Sequence, residues 1–208
     1  MNSNSIFFIH FVCYWTMVAL YDKNVPAKTF YKSALLSLKN QILYTYPIIY
    51  FLFKYYPISY DNFLISICYL PILVITGDLY FYISHRPLHS KLLFKYHKSH
   101  HTGLIHVAKS LDADALEHIF GNIGSFLCGI LLLWYFNYII NIYILAFWVG
   151  SITLNTCISH SNNNCSLDNG VHKLHHKYLN CNYGTGLYII DRMCVSFKKN
   201  FNKKRLKK

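Results

Sequence analysis

The chain has 208 residues, of which 54% are hydrophobic and 18% aromatic, and it carries a formal net charge of +12. That length suits one domain, and so much apolar and basic character together excludes an ordinary soluble enzyme unless the two are segregated along the sequence. Seven scattered cysteines without a Cys-x-x-Cys pair read as buried small residues or free thiols, with no disulfide framework.

In chain order, an apolar run from Ile6 to Leu20, interrupted by His10, comes first. It lacks a positive leader and a small-residue cleavage site, which argues against a cleaved signal peptide, and its length fits an interfacial or re-entrant helix as well as a span. A polar, basic stretch follows over 21–40. Apolar stretches then cover Ile42–Tyr56, Phe63–Ile83, Ile119–Phe136 and Tyr138–Cys157, and these four predict membrane-spanning helices. Between the second and third, a loop of mixed charge is expected over 84–117. If the four spans form two hairpins, residues 21–40, 84–118 and 158–208 share one side. Of the 20 Lys and Arg, 19 fall there, all but Lys54, as do 11 of the 12 histidines, all but His10. The excess of positive charge makes that side cytosolic. The expected fold is therefore all-α: an integral membrane bundle of about four transmembrane helices under a cytosolic, histidine-rich cap. Its expected divisions are an N-terminal apolar segment and basic linker over 1–40, a main domain over 41–197 and a basic tail over 198–208. Such a tail suits anionic lipid headgroups better than nucleic acid.

Eight histidines fall into three boxes: His85-x-x-x-His89, His97-x-x-His100-His101 and His172-x-x-His175-His176. Residues three or four apart share a helix face. His85 then points with His89, His97 with His100 or His101, and His172 with His175 or His176. Neutral imidazole suits iron, zinc and copper. Eight such ligands exceed the need of one tetrahedral zinc, so two metals are the economical reading. His10 and His106 stand outside the boxes and read as satisfied core or surface residues. Asp78, at the end of an apolar stretch, is costly there without a partner. Asp78, Glu117 and Asp191, with Asp112 and Asp114, are candidates for carboxylates that orient ligand histidines, and Arg86 and Arg192 are candidate partners for them.

In combination these motifs resemble the fatty acid hydroxylase and sterol desaturase superfamily of membrane di-iron oxidases. The resemblance covers about residues 60–197. It rests on Asp78-x-x-x-Tyr82-x-x-His85-Arg86-x-x-His89, on Tyr96-His97-Lys98-x-His100-His101, on Leu116-Glu117-His118 and on His160-Ser161. The third box follows, then Asn182-Tyr183-Gly184 and Asp191-Arg192. Asp114-Ala115 stands where the family has His-Pro, and either Asp114 or His118 would be the substitute. The resemblance implies a di-iron centre held by the eight box histidines, with His160 as a further ligand. It also implies dioxygen as co-substrate, electrons from NAD(P)H through a b-type cytochrome and its reductase, and hydroxylation or desaturation of a lipid at the endoplasmic reticulum. Asn182-Tyr183-Gly184, Asp191-Arg192 and Ser196-Phe197-Lys198 lean toward a sterol C-5 desaturase type, and Leu116-Glu117-His118 toward the sterol C-4 methyl oxidase and fatty acyl hydroxylase types, with a sterol desaturase-like enzyme of sterol biosynthesis slightly ahead. A fatty acyl or sphingolipid hydroxylase is the alternative. A non-catalytic metal-binding membrane protein with a decayed site is a further one.

Overall fold

The computed structural model describes residues 3–161 and 170–199. Cys165, most of the connector before the third box, and the tail beyond Lys199 lie outside the described residues. The order is α1 (Ser3–Tyr21), α2 (Ala27–Asn40), a π-helical turn (Gln41–Thr45), α3 (Tyr46–Tyr55), β1 (Ile58–Ser59), α4 (Phe63–Ile67) and α5 (Leu70–Leu88). Then come α6 (Phe94–His101), a 3-10 turn (Val107–Leu111), a second π-helical turn (Glu117–Ile123), α7 (Gly124–Tyr135), β2 (Ile140–Asn141), α8 (Ile142–His160), α9 (Val171–Tyr178) and α10 (Ile189–Met193).

Among the described residues, four helices are long and apolar enough to cross a membrane: Asn4–Tyr21, Phe63–Leu88, Glu117–Tyr135 and Ile142–His160. They turn bulky apolar side chains outward, among them Phe8, Leu64, Tyr135 and Phe147, as lipid-facing helices do. The expected number is met, but the membership differs. The stretch 42–56 is not one of the four. It continues α2 without a break, so Lys39, Asn40 and Gln41 dilute its apolar character. The N-terminal run takes its place. His10 is tolerated there because Nδ1 bonds Thr153 Oγ1 at 2.9 Å and Nε2 bonds Gln41 Nε2 at 3.2 Å. Nor are the first two boxes in a loop. His85 lies in the last turn of α5, and the second box lies on α6.

Two helix pairs dominate the packing, α5 with α7 and α1 with α8. The first pair approaches closely at Gly129, where an added Cβ would stand 2.5 Å from Thr76 Oγ1 and 3.0 Å from Leu73 Cα. Small residues of this kind let membrane helices meet without a gap. The apolar core between the pairs includes Ile6, Leu73, Ile130, Leu145 and Val149.

The two ends of the bundle are tied differently. At one end β1 and β2 pair in parallel, Ile58 with Ile140 and Ser59 with Asn141. Fully buried Asn141 caps α8 by accepting from Tyr143 N, while its amide donates to Tyr60 O and Asp61 O. At the other end the segments expected on one side do meet. Asp22 accepts from His106 Nδ1, Val107 N and Ala108 N at 2.7–3.0 Å. Ser33 donates to Asp112, Ser37 to Ala108 O, and Asn40 to Leu111 O and Ala113 O. This end carries all three histidine boxes.

Candidate metal centre

Each box sits where a helix leaves the bundle or lies across its end, so the rings converge from α5, α6, α8 and α9. They form two groups. One is His85, His89, His97, His101 and His175; the other is His100, His160, His172 and His176. Within each, one nitrogen per ring lies within 4.8 Å of all the others. The nine histidines expected from the boxes and from His160 are thus all brought together. The helix periodicity is obeyed by the four-residue spacings: His85 with His89, His97 with His101, and His172 with His176. His100 and His175 cross over to the opposite group, each separated from its neighbour in sequence because adjacent residues on a helix point about 100° apart.

The hydrogen bonds of the outer nitrogens decide what the inner ones are. A carbonyl oxygen only accepts, so His85 Nδ1 carries the ring hydrogen that it gives to Tyr183 O at 2.8 Å. His175 Nδ1 does the same to Cys181 O at 2.8 Å, and His160 Nδ1 to Thr156 O at 3.0 Å. In a neutral ring this leaves Nε2 as a bare lone pair. His160 Nε2 stands 3.2 Å from His100 Nε2, 3.3 Å from His172 Nε2 and 3.2 Å from His176 Nε2. One imidazole N–H could serve one such pair, never three at once. In the first group His97 Nε2 lies 2.9 Å from His85 Nε2 and 2.7 Å from His101 Nε2. His175 Nε2 is buried without a hydrogen-bond partner among the described residues. Nitrogens bound to one ion at about 2.1 Å stand roughly 3.0–3.4 Å apart, close to the spacings found. The donor set therefore fits a cation at each group.

Burial first, and the neighbouring rings second, push His97, His100, His101, His172, His175 and His176 below the usual histidine range. Burial alone lowers His89 to about 4. The rings are accordingly neutral at physiological pH, the state a metal needs.

The carboxylates divide the support. Among the carboxylates of the described residues Glu117 reaches a box histidine, Oε1 lying 2.8 Å from His97 Nδ1, off the axis of a straight hydrogen bond. Asp78 and Asp191 touch no ring. Asp78 accepts from Thr185 N, Tyr188 N and Ile189 N, and Asp191 from Tyr183 N, Gly184 N and Ser196 Oγ. Together they fix the loop 182–197, whose Tyr183 carbonyl holds His85. Asp112 binds Ser33 and Lys109, and exposed Asp114 only accepts from Leu116 N. His118 bonds Thr45 and Asn122. Neither Asp114 nor His118 replaces the missing histidine. The expected Arg–carboxylate pairs do not form: Arg86 donates to Tyr82 Oη and stacks on the Tyr82 and Tyr183 rings, and Arg192 lies over Phe197. The carbonyl anchors at Tyr183 and Cys181 were not foreseen from the sequence, although the Asn-Tyr-Gly motif marks their place.

A cavity of about 100 Å³ opens from His85, His100, His160 and His172 into the bundle between Ile49, Phe81, Ile123, Phe126, Val149 and Ile152. It has room for several waters or a stretch of alkyl chain.

Residues 70–196 match the family model described as fatty acid hydroxylase. The chain belongs to that family. No curated protein and no solved structure matches it. The family lies within the fatty acid hydroxylase and sterol desaturase superfamily of membrane hydroxylases and desaturases, which are typically iron-dependent. The histidine groups described above lie on or next to the matched residues, and all nine of these histidines fall inside them. Substituting Glu117 with Gln is expected to weaken metal binding about 10–100-fold, as loss of an outer carboxylate does. Competition with a chelator measures it, and unchanged affinity would remove Glu117 from the centre's support.

Proposed function

We propose that the chain is a membrane-bound non-haem di-iron oxidase that uses dioxygen and reductant to hydroxylate or desaturate a lipid. The observation that carries this reading is the pair of neutral histidine groups, lone pairs facing inward, at the mouth of a cavity that leads between membrane helices. His85, His89, His97, His101 and His175 would hold one iron, and His100, His160, His172 and His176 the other. Iron held by these imidazoles would activate dioxygen, with electrons from the reductant, to give the strong oxidant that an unreactive C–H bond requires. The chain does the rest. The Tyr183, Cys181 and Thr156 carbonyls fix which nitrogen of each anchored ring faces the metal. Asp78 and Asp191 keep the 182–197 loop in place, and Glu117 steadies His97. The apolar cavity wall keeps water from the alkyl segment and points it at the histidines.

The closing motifs favour a sterol desaturase-like substrate. A cavity of only about 100 Å³ suits an alkyl chain, and so supports the fatty acyl hydroxylase reading beside it. Electrons would come from NAD(P)H through a b-type cytochrome. The distribution of Lys and Arg supports a cytosolic face for the histidine end, in the endoplasmic reticulum membrane. Residues 41–197 would form the oxidase domain, braced by the segment before it through Asp22, Ser33 and Asn40. Metal analysis of the detergent-purified chain tests the reading. About two irons per chain are expected from the two groups, together with lipid oxidation that needs both dioxygen and reductant. No stoichiometric metal after gentle purification would overturn it.

A further inference from the structure

The loop that Asp78 and Asp191 hold turns an apolar face outward. Tyr188 and Asp191 are buried, while Leu187 and four consecutive residues, Arg192, Met193, Cys194 and Val195, are exposed. Val195 is 91% exposed and has a φ of 57°. That left-handed region is rarely open to a β-branched residue, and a side chain so exposed gains no packing inside the chain to offset the strain. Strained residues of this kind concentrate where a chain meets a ligand.

Depth decides what the face meets. Ile75, Leu79 and Ile83 are exposed and share one side of α5, a helix of membrane-spanning length. Asp78 adjoins that stripe, and α10 packs against α5 there. Thr185 N, Tyr188 N and Ile189 N are all fixed to Asp78. Asp78 lies seven residues before His85, about 10 Å along the helix. The loop is therefore pinned about 10 Å nearer the bilayer centre than the first histidine box, beside a stripe that already faces lipid. Interfacial segments seat their apolar side chains roughly 5–10 Å into the boundary between headgroups and acyl chains.

The rim of the face is basic. Arg192 Nε donates to Leu187 O at 3.4 Å, and its guanidinium lies 3.9 Å from the centre of the Phe197 ring. Lys198 Nζ donates to Asn180 Oδ1 at 3.3 Å. Among the described residues neither cation is paired with a carboxylate. Apolar side chains below and cations above complement a phospholipid leaflet, whose phosphates lie over its acyl chains.

We propose that the outward side of residues 186–198 is a docking surface for the phospholipid bilayer. Leu187, Met193 and Val195 enter the acyl boundary, and Arg192 and Lys198 meet headgroup phosphates. The three apolar side chains need not touch one another, since each is a separate contact with one continuous surface. The docking requires no metal and does not rest on the oxidase reading. Its consequence for the centre runs through Tyr183, because the same loop presents the carbonyl that orients His85.

Photo-crosslinking of the full chain in nanodiscs of phosphatidylcholine and phosphatidylserine tests it. Val195→benzoylphenylalanine is the probe, with the same replacement at lipid-facing Phe147 and at Leu92. Leu92 is 82% exposed and follows the end of α5, beyond the membrane border. Neither exposed site disturbs packing. On irradiation the probes at 195 and 147 are expected to raise the mass of the chain by one phospholipid, and the probe at 92 is not. Phosphatidylserine should exceed its share of the bilayer among the adducts at 195, and Arg192→Gln with Lys198→Gln should lower that excess about fivefold. Adducts joining two copies of the chain, lipid adducts at 195 no more frequent than at 92, or an excess of phosphatidylserine unchanged in the double variant would each overturn the proposal.

Discussion

Replacing His160 with alanine is expected to lower bound iron from about two per chain to about one and to abolish lipid oxidation. His160 occupies the last turn of α8, and its Nε2 is the meeting point of His100, His172 and His176. No other ring in its group touches all the rest at hydrogen-bonding distance among the described residues. Its orientation is set by Thr156 O and Ser159 Oγ at Nδ1, so alanine removes a ligand already held in place. His10→Ala is the control. His10 lies on a membrane helix too, but it bonds Thr153 and Gln41 and belongs to neither group. Iron content should stay unchanged there. Metal analysis of both purified variants, alongside their extraction from membranes, separates loss of a ligand from loss of insertion. Full iron content in His160→Ala would show that the second group does not hold metal.

Asp191→Ala is expected to destabilise the chain by about 3 kcal/mol or more, since each buried donor left without its acceptor costs about 1–3 kcal/mol. Asp191 is fully buried and accepts three hydrogen bonds, from Tyr183 N at 3.0 Å, Gly184 N at 2.6 Å and Ser196 Oγ at 2.6 Å. Alanine leaves two backbone N–H groups and a hydroxyl without an acceptor. The damage then reaches the centre through Tyr183, whose carbonyl fixes His85. Thermal unfolding in detergent should show a clearly lower midpoint, with iron lost in parallel. The neighbouring Arg192→Ala removes only a long 3.4 Å bond to Leu187 O and a contact with Phe197, and a small change is expected. An unchanged midpoint in Asp191→Ala would mean that the loop is held by other contacts.

The sequence made the helix faces of the boxes legible because a four-residue spacing has only one meaning on a helix. It left open how His100, His101, His175 and His176 are shared out, since that depends on where neighbouring helices approach. The number of long apolar helices was legible, while their membership was not. A hydropathy reading weighs 42–56 by itself, whereas in the fold it is the continuation of polar α2. His10 counted against the N-terminal run only while its partners, Thr153 from α8 and Gln41 from the π-turn, were unseen. Asp78 was correctly marked as needing a partner, but nothing local says that the partners are backbone N–H groups rather than a histidine. The π-turns at Gln41–Thr45 and Glu117–Ile123 leave no periodic trace, because each shifts the register by a single residue.

Asp78 also sets a clock. Its three partners lie 107, 110 and 111 residues further along the chain. At roughly 5–20 residues per second of synthesis, the helix that carries Asp78 emerges roughly 5–20 seconds before the amides that hydrogen-bond it exist. Over that interval the carboxylate depends on water at the membrane border, and the first histidine box lacks the Tyr183 carbonyl that will orient it. The centre is therefore completed only when the 182–197 loop closes on a helix made long before.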